Sequence, residues 1–335
     1  MSVTWLIQPR LINEVFSDPG LLIDFRFGRR AILFDLGDLH ALSSREILRV
    51  SHVFVSHTHM DHFAGFDRLL RLSLHRPATL HLIGPEGFID RVCHKLAAYT
   101  WNLLDQGSAE FSIVAIEFVA DRLSRGCRFC AREAFEPRPF APPELPAGTV
   151  LDEEAFRVRA SVLDHGIPCL AFAFEEKLRI NVRKQGLDAL GLPVGPWLND
   201  AKRAVRRASA DTTQVFVAPN RSVALGLLKA QALRIAAGQR IAYVVDAAYH
   251  AANIGRIAAL ARHADQLFIE TAFLEADAAL AAERRHLTAA QAGAIARAAE
   301  VTRVTPFHFS PRYLDREDQL RRELELAFRG GDSSP

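Results

Sequence analysis

The chain has 335 residues, of which 49% are hydrophobic and 24% are charged, and its formal net charge is +2. This length and apolar content allow a large buried core and exclude a chain that is disordered throughout. A net charge so close to zero gives no overall attraction to polyanions, so any nucleic-acid surface has to be a local basic patch.

The first third of the chain has the pattern of short buried strands separated by turns. Between the second and third of these strands, apolar residues recur at helical spacing from Phe63 to Leu74, which predicts an amphipathic helix. Residues 136–148 contain five prolines, so we expect an extended surface connection there. Apolar, β-branched or aromatic runs predict strands at Ala31–Phe34, His52–Val55, Thr79–Ile83 and Phe111–Val119.

A basic segment interrupts the strands in the middle of the chain. Strands return between Phe156 and Phe174, and residues 175–210 then hold eight cationic side chains against four acidic ones. Gly and Pro punctuate the centre of this segment at Gly191–Pro196. We predict one domain over 1–335 with an inserted basic arm at about 176–212, although a solvated helix face is the ordinary alternative for such a charge run. The cations on one predicted helix face are Lys202, Arg203, Arg206 and Arg207.

Strands and helices alternate again after the arm. Thr288 and Gln291 have the spacing of a capping box, which predicts a helix beginning at that point. Together with the alternation in the first half, this pattern predicts the α/β class. The predicted strands are 241–245, 267–270 and 303–309, and the predicted helices are 251–262, 288–300 and 316–328.

Four potential metal ligands occur within six residues, directly after a predicted strand. His57 and His59 are two residues apart, so an extended backbone turns both toward one side. Asp61 and His62 follow on the turn into the helix and can face a second point nearby. Imidazole nitrogen and carboxylate oxygen are ligands that suit zinc, or less often manganese or iron. A His-rich solvent loop is the alternative.

The spacing His-x-His-x-Asp-His resembles the signature of the metallo-β-lactamase superfamily. The resemblance implies a four-layer αβ/βα sandwich and three distant ligands, which match His165, Asp246 and His308 at or just beyond apolar runs. It also implies two metal ions, with zinc as the expected element, that can ionise a bridging water and hold the oxygens of a phosphoryl group. The implied ligands are His57, His59 and His165 for one ion, Asp61, His62 and His308 for the other, and Asp246 between them.

Three segments in the last third resemble ribonuclease Z, the endonuclease that removes the 3′ trailer from precursor tRNA. They are Ile269–Phe273, His286–Ala292 and Phe307–Tyr313. In that family a histidine before a Thr-capped helix protonates the leaving 3′ oxygen, and such a positioned acid contributes ~10²–10⁴-fold to the rate. The resemblance implies that His286 has this role and that Glu270 supports it. The predicted catalytic residues are Asp61, His286 and Glu270.

The basic arm also resembles this family. Gly191–Leu198 followed by Lys202 is similar to the Gly-Pro motif with which ribonuclease Z holds tRNA. The resemblance implies precursor tRNA as the RNA partner and a homodimer as the assembly. The residues predicted to contact the phosphates are Lys202, Arg203, Arg206 and Arg207.

Some segments depart from the family pattern. Asp35–His40 is shorter than its family counterpart, and Val245–Ala247 lacks the usual Gly and Thr around the aspartate. These changes concern the nucleotide pocket, so a hydrolase of a small phosphodiester, a lactone or an aryl ester is the alternative function. A non-catalytic RNA-binding scaffold is a third possibility. Asp35 and Asp164 are candidates, by closeness in sequence, for orienting the imidazoles.

The cysteines and the opening residues predict a cytoplasmic protein without a membrane partner. Four cysteines in a chain of this length form no disulfide scaffold, which favours a reducing compartment. The opening segment Met1–Arg10 has no basic stretch followed by an apolar one, and no apolar run reaches the ~18 residues of a membrane span. Cys127 and Cys130 have half the spacing of a zinc ribbon without a second pair, and we interpret them as structural.

Overall fold

The computed structural model describes residues 6–26 and 28–331, so the first five residues of the opening segment lie outside the described residues. An eight-stranded sheet, with its strands in sequence order, forms the first half. Strands β3 to β6 are parallel, and the other neighbours are antiparallel. The strands are β1 (Ile7–Leu11), β2 (Leu21–Phe25), β3 (Ala31–Phe34), β4 (Val50–Phe54), β5 (Ala78–Gly84), β6 (Phe111–Val119), β7 (Arg122–Cys130) and β8 (Pro137–Phe140).

Strand β8 lies in the proline-rich segment that the sequence predicts as a surface connection. All four of its residues are exposed, and it pairs with β7 at the edge of the sheet, where prolines are tolerated. The helices that connect the first strands are α1 (Ser44–Ile47), α2 (Met60–Phe63), α3 (Phe66–Ser73) and α4 (Phe88–Ala97).

The single helix predicted from Phe63 to Leu74 is divided into α2 and α3. Gly65 stands at the break, and a Cβ at this position would lie 2.2 Å from the carbonyl oxygen of Gly37. Gly37 is equally close to its neighbours, since a Cβ there would lie 2.6 Å from the carbonyl oxygen of Asp61. The turn after β3 therefore packs directly against the His-rich turn, and this contact ends α2 after one turn.

The second half forms a six-stranded sheet in the order β18-β17-β16-β11-β10-β9. Its first strands are β9 (Thr149–Asp152), β10 (Phe156–Asp164) and β11 (Pro168–Glu176). The chain then leaves the sheet through β12 (Leu178–Val182), α5 (Lys184–Ala189), α6 (Trp197–Arg206), β13 (Gln214–Ala218), β14 (Arg221–Ala224), α7 (Leu225–Gln231) and β15 (Leu233–Ala237). It returns through β16 (Arg240–Val244), α8 (Ala251–Ala261), β17 (Gln266–Glu270), α9 (Ala278–Arg284), α10 (Ala289–Ala298), β18 (Val304–Phe307) and α11 (Glu317–Arg329).

The two sheets pack face to face, with helices on both outer faces. Phe34 of the first sheet stacks against Phe172 and Tyr243 of the second, with ring centroids 5.4 and 5.7 Å apart. Helices α3 and α4 cover the outer face of the first sheet, and α8, α10 and α11 cover that of the second. Three apolar clusters separate these layers. The predicted four-layer αβ/βα sandwich is confirmed.

The inserted segment has a core of its own. Strands β12 and β15 pair with each other, with Leu178 opposite Ala237. The insertion therefore extends to Ala237, beyond the boundary at 212 that the sequence indicates. Buried residues of its helices and strands form a separate cluster around Trp197 and Leu228. Because β12 and β15 are about fifty residues apart in the chain, local patterning gives no sign of their pairing.

Cys127 and Cys130 are both free thiols on β7. Residues three apart on a strand point to opposite faces of the sheet, so these thiols do not converge on one point. Among the residues described, none of the helices has both the length and the apolar character of a membrane span.

His52 and His81 lie on adjacent strands away from the metal-ligand candidates, and their rings stack 4.6 Å apart. Arg30 contacts the Nδ1 of His52 at 3.1 Å and forms a bidentate pair with Glu153. Burial, followed by the neighbouring His81 and Arg30, lowers the pKa of His52 to about 3. The folded protein therefore keeps this imidazole neutral at pH values where the unfolded chain protonates it.

A His52→Asn variant is expected to lose stability less steeply in acid. The pKa of His52 is lower in the folded than in the unfolded state. Above pH 6.5 the imidazole is neutral in both states and the free energy of unfolding is unaffected. As the pH falls from 6.5 toward 3, the unfolded chain takes up a proton that the folded protein does not, and the free energy of unfolding decreases by about 1.4 kcal/mol per pH unit. Asn keeps an acceptor near Arg30 without this proton. Urea unfolding of both proteins between pH 7 and 4 measures the difference, with His75→Asn at an exposed position as the control. Equal slopes for His52→Asn and wild type would contradict the assignment.

Candidate metal centre

The candidate ligands lie at one edge of the sandwich, where several strands end. His57 and His59 follow β4, His165 follows β10, Asp246 follows β16 and His308 follows β18. Strands β10, β16 and β18 run in the same direction within their sheet, because β11 is antiparallel to its two neighbours and β16 to β18 are parallel. Their carboxyl ends therefore meet at the same edge, and the structure brings all seven predicted ligands together there.

Asp246 lies at the middle of this group and is almost completely buried. Its Oδ2 is 3.5 Å from Nε2 of His57 and 3.4 Å from Nε2 of both His62 and His165. Its Oδ1 is 2.9 Å from Nδ1 of His308. The ring of His59 is exposed, and its centroid lies 4.4 Å from that of the His57 ring. One group of close ligand atoms consists of His57, His59, His165 and Asp246.

Asp61 belongs to a second group of ligand atoms. Its Oδ2 lies 3.4 Å from Nε2 of His62 and 3.3 Å from Nε2 of His308. Asp61 is partly exposed and lines the cleft, whereas the His62 side chain is completely buried. Asp61, His62 and His308 form one set of mutually close ligand atoms, and a further set consists of Asp246, Glu270, His286 and His308.

Hydrogen bonds on the far side of three rings turn their Nε2 atoms toward Asp246. Nδ1 of His57 lies 3.1 Å from the Ser56 hydroxyl, and Nδ1 of His165 lies 2.9 Å from the carbonyl oxygen of Arg285. Nδ1 of His62 donates to Asp35. An imidazole that donates through Nδ1 presents a lone pair at Nε2.

Several polar atoms at the centre of the group have no hydrogen-bond partner among the described residues. They are Nε2 of His57 and Nε2 of His62, together with Oδ1 of Asp246 and Nδ1 of His308, which lie 2.9 Å apart without the angles of a hydrogen bond. Buried polar atoms without partners are rare in folded proteins, and lone pairs that converge at these distances suit a cation. The residues present therefore fit divalent metal ions.

The charges of the group are strongly coupled. Burial alone would lower the pKa of His308, but the carboxylates of Asp246 and Asp61 raise it to about 10. Burial and the adjacent His62 instead lower the pKa of His57 to about 2. Protons on some imidazoles thus balance the buried carboxylates, and metal ions that bind here displace those protons.

His286 lies beside the metal-ligand group and contacts a buried carboxylate. Its Nδ1 is 2.7 Å from Oε2 of Glu270 and 3.8 Å from Oδ1 of Asp246. Burial acts to lower the pKa of His286, but the charge of Glu270 outweighs it and raises the pKa. The other oxygen of Glu270 accepts from the backbone N–H of Ala247 and Leu287, so the carboxylate is held firmly.

A cleft of about 510 Å³ opens over these groups. The residues that line it include His59, Asp61, His286, Arg284 and Arg312. The cleft thus brings candidate ligands, His286 and two arginines to one surface.

Two solved structures share the fold. The metallo-β-lactamase fold protein YhfI from Bacillus subtilis superposes with a TM-score of 0.52 at 16% identity, covering 94% of this chain and 87% of YhfI. The short form of human tRNase Z superposes with a TM-score of 0.51 at 17% identity, covering 92% of this chain and 93% of that one. The predicted metallo-β-lactamase fold is confirmed.

The decisive comparison is with curated sequences, since no protein-family model matches. Ribonuclease Z of Deinococcus radiodurans is 34% identical over 330 residues, which cover 98% of this chain and 95% of the relative. The chain belongs to the ribonuclease Z family. Ribonuclease Z of Thermobifida fusca is 31% identical over 313 residues, 91% of this chain and 83% of the relative. The resemblance predicted from the sequence motifs is confirmed.

The predicted phosphate-binding cations of this ribonuclease Z family member lie on or directly after α6. Arg203 and Arg207 both pair with Glu154 of the main body, at 4.0 and 3.1 Å. Lys202 is partly buried, and burial together with Arg206 lowers its pKa. Part of the positive charge on this face is therefore used to hold the insertion against the sandwich.

The two aspartates suggested for orienting imidazoles behave differently. Asp35 is fully buried and accepts hydrogen bonds from His62, from the hydroxyl and the backbone N–H of Ser56, and from the hydroxyl of Tyr243. Asp164 is half-exposed, accepts from the backbone of Gly166 and lies near His250 instead. The sequence gives no sign that Ser56, Tyr243 and the carbonyl oxygen of Arg285 take part in the hydrogen bonds around the imidazoles.

Proposed function

We propose that this chain removes the 3′ trailer of precursor tRNA with two zinc ions bound at the edge of the sandwich. The observation that supports this most strongly is that five imidazoles and two carboxylates meet at one edge of the sandwich, next to the His286–Glu270 pair. Membership of the ribonuclease Z family supports the same reaction, hydrolysis of a phosphodiester in RNA. The donor set of nitrogen and carboxylate oxygen atoms supports zinc, and manganese or iron are alternatives.

We assign the ligands by their grouping around Asp246. When bound, two such ions supply an activated water and neutralise charge that develops on the phosphate. One ion would be held by His57, His59 and His165, the other by Asp61, His62 and His308, and Asp246 would contact both.

The chain's own residues contribute positioning and a proton. Asp61 borders the cleft, where its carboxylate can also orient the attacking water. His286 holds a proton between Nδ1 and Glu270, which orients the ring so that Nε2 can protonate the leaving 3′ oxygen. Glu270 fixes that orientation, because its second oxygen is tied to the backbone.

The function is tested with precursor tRNA, a zinc-loaded enzyme and mapping of the product 3′ ends. The wild type is expected to cut at the trailer junction and leave a 3′ hydroxyl. A wild type that leaves precursor tRNA intact but hydrolyses small esters would show that the small-ester alternative is correct and that the proposed substrate is wrong.

The His286→Ala variant is expected to lose ~10²–10⁴-fold in kcat on precursor tRNA, because an alkoxide leaves slowly without a proton donor. The same variant is expected to keep most of its activity on bis(p-nitrophenyl) phosphate, whose phenolate leaves without protonation. His263→Ala, at an exposed position, is the matched control. A similar loss on both substrates would contradict the assignment of His286 as the acid.

We also propose that the chain is one domain, 1–335, with an inserted arm for RNA that the sequence places at about 176–212 and that the pairing of β12 with β15 extends to Ala237. Lys202, Arg203, Arg206 and Arg207 would contact phosphates of the tRNA body. The side chains of Arg203 and Arg207 remain exposed by 50 and 65% although both pair with Glu154, and this exposure supports a contact with RNA.

The proposal includes a homodimer in the cytoplasm. Tyr99 is exposed by 45% and borders an apolar cleft of about 490 Å³ beside α3, and Leu103 nearby in the chain is exposed by 86%. An apolar patch of this kind suits a second copy of the chain. All four cysteines are free thiols, which fits a reducing compartment.

A further inference from the structure

Arg285 adopts a backbone conformation that is unfavourable for arginine. It follows α9 with φ +61°, in the left-handed region, and its N–H bonds to the carbonyl oxygens of Ala281 and Ala282. Glycine makes this type of helix cap without steric cost. The cap alone therefore gives no reason for an arginine at this position.

The carbonyl oxygen of Arg285 accepts a hydrogen bond from Nδ1 of His165 at 2.9 Å. A proton on Nδ1 leaves the lone pair on Nε2, and this atom lies 3.4 Å from Oδ2 of Asp246. The direction of the Arg285 carbonyl thus determines both the tautomer and the orientation of a candidate metal ligand.

The side chain of Arg285 lies across the loop that carries His165. A Cβ at Gly166 would lie 2.9 Å from the Cδ, Nε and Cζ atoms of Arg285, so the arginine side chain packs directly over this glycine. Nη1 of Arg285 is 3.6 Å from Oδ1 of Asp164, and the same oxygen accepts from the N–H of Gly166 at 2.6 Å. The arginine therefore contacts both chain neighbours of His165.

The residue after Arg285 is His286, which is held against Glu270. We propose that Arg285 is a positioning residue that joins the His165 loop to the His286 loop and fixes the two imidazoles relative to each other. This inference rests on the proposed function. The exposed ion pair with Asp164 adds little by itself, so the effect comes from the fixed geometry of the two loops.

The test is an Arg285→Gly variant, which keeps the carbonyl, relieves the backbone strain and removes the side chain. Its Tm is expected to be at least that of the wild type. Its affinity for Co²⁺, measured by chelator competition, is expected to fall about tenfold. This is the lower end of the roughly 10–100-fold loss of affinity that follows removal of a group that orients a metal ligand. The visible absorption of bound Co²⁺ is expected to change, and kcat on precursor tRNA to fall while KM stays within about twofold.

Glu300→Gly is the matched control. Glu300 follows α10 with φ +53° and forms an exposed pair with His263 at 3.5 Å, so the substitution relieves the same strain and removes a similar pair away from the metal centre. Its Tm is expected to rise, with Co²⁺ affinity, absorption and kcat unchanged.

Wild-type Co²⁺ affinity and absorption in Arg285→Gly would overturn the inference. A higher KM with unchanged kcat would also overturn it, because Arg285 would then act by contacting RNA. A wild type that binds no Co²⁺ or leaves precursor tRNA uncut would overturn the proposed function itself. If the wild type binds Co²⁺ and cuts precursor tRNA, and Arg285→Gly does both equally well, only the positioning role of Arg285 is overturned.

Discussion

Replacing Asp246 by asparagine is expected to lower kcat/KM on precursor tRNA by roughly 10³–10⁵-fold, the equivalent of several kcal/mol of transition-state stabilisation. Oδ2 of Asp246 lies within 3.5 Å of three imidazole nitrogens, and its Oδ1 lies 2.9 Å from His308. Asp246 therefore contacts imidazoles of both ligand groups. An amide in its place has one neutral acceptor and an N–H₂ that faces the cations.

The same substitution is expected to reduce the metal content from the proposed two ions per chain to one or fewer. Elemental analysis after gel filtration measures the content, and single-turnover cleavage measures the rate. Asp90→Asn, at an exposed position on α4, is the control for loss of a carboxylate elsewhere. Two bound ions and a rate within tenfold of wild type would contradict the central position of Asp246.

The sequence can indicate the local part of this centre, because residues 57–62 follow one another between the end of β4 and α2. His165, Asp246 and His308 are isolated in sequence, and only the family resemblance connects them to the first motif. The structure explains why they meet: the strands that carry them end at one sheet edge. Periodicity indicates where these strands run but not the order in which they pair.

The hydrogen bonds that orient the imidazoles depend on contacts that no local pattern contains. Tyr243 belongs to the second sheet and Asp35 to the end of a strand in the first, so their contact at 3.0 Å exists only after the sheets pack. The extent of the insertion has the same cause, since it depends on pairing between β12 and β15. Long-range pairing of this kind is set by tertiary packing.

Three residues of the centre share a further property that sequence patterns do not show. Asp35, Asp246 and His308 all have positive φ, at 61, 31 and 58°, within two residues of the end of a strand. Left-handed conformations of non-glycine residues are uncommon and cluster at functional sites. Each strand thus ends in a sharp turn that brings its side chain into the centre, and the surrounding packing has to maintain that conformation.

An Asp35→Asn substitution is the second change with a large expected effect. Asn adopts the left-handed conformation as readily as Asp, so the backbone at φ 61° is not disturbed. The carboxylate accepts from four donors, on Ser56, His62 and Tyr243, and an amide offers only one acceptor oxygen. Breaking a buried charged pair of this type costs about 3–5 kcal/mol, which is the expected loss in the free energy of unfolding.

Metal binding is expected to weaken as well, by about 10–100-fold. The N–H₂ of the introduced amide needs an acceptor, and Nδ1 of His62 can provide one only if its proton moves to Nε2, the atom that faces Asp246. Tyr243→Phe separates the loss of stability from the loss of metal affinity. It removes one donor to Asp35, which is expected to lower the free energy of unfolding by about 1 kcal/mol, and it leaves His62 paired with Asp35. Urea unfolding of the metal-free proteins and Co²⁺ competition measure both quantities. If Asp35→Asn lowers stability no more than Tyr243→Phe and binds Co²⁺ as the wild type does, then Asp35 does not orient His62.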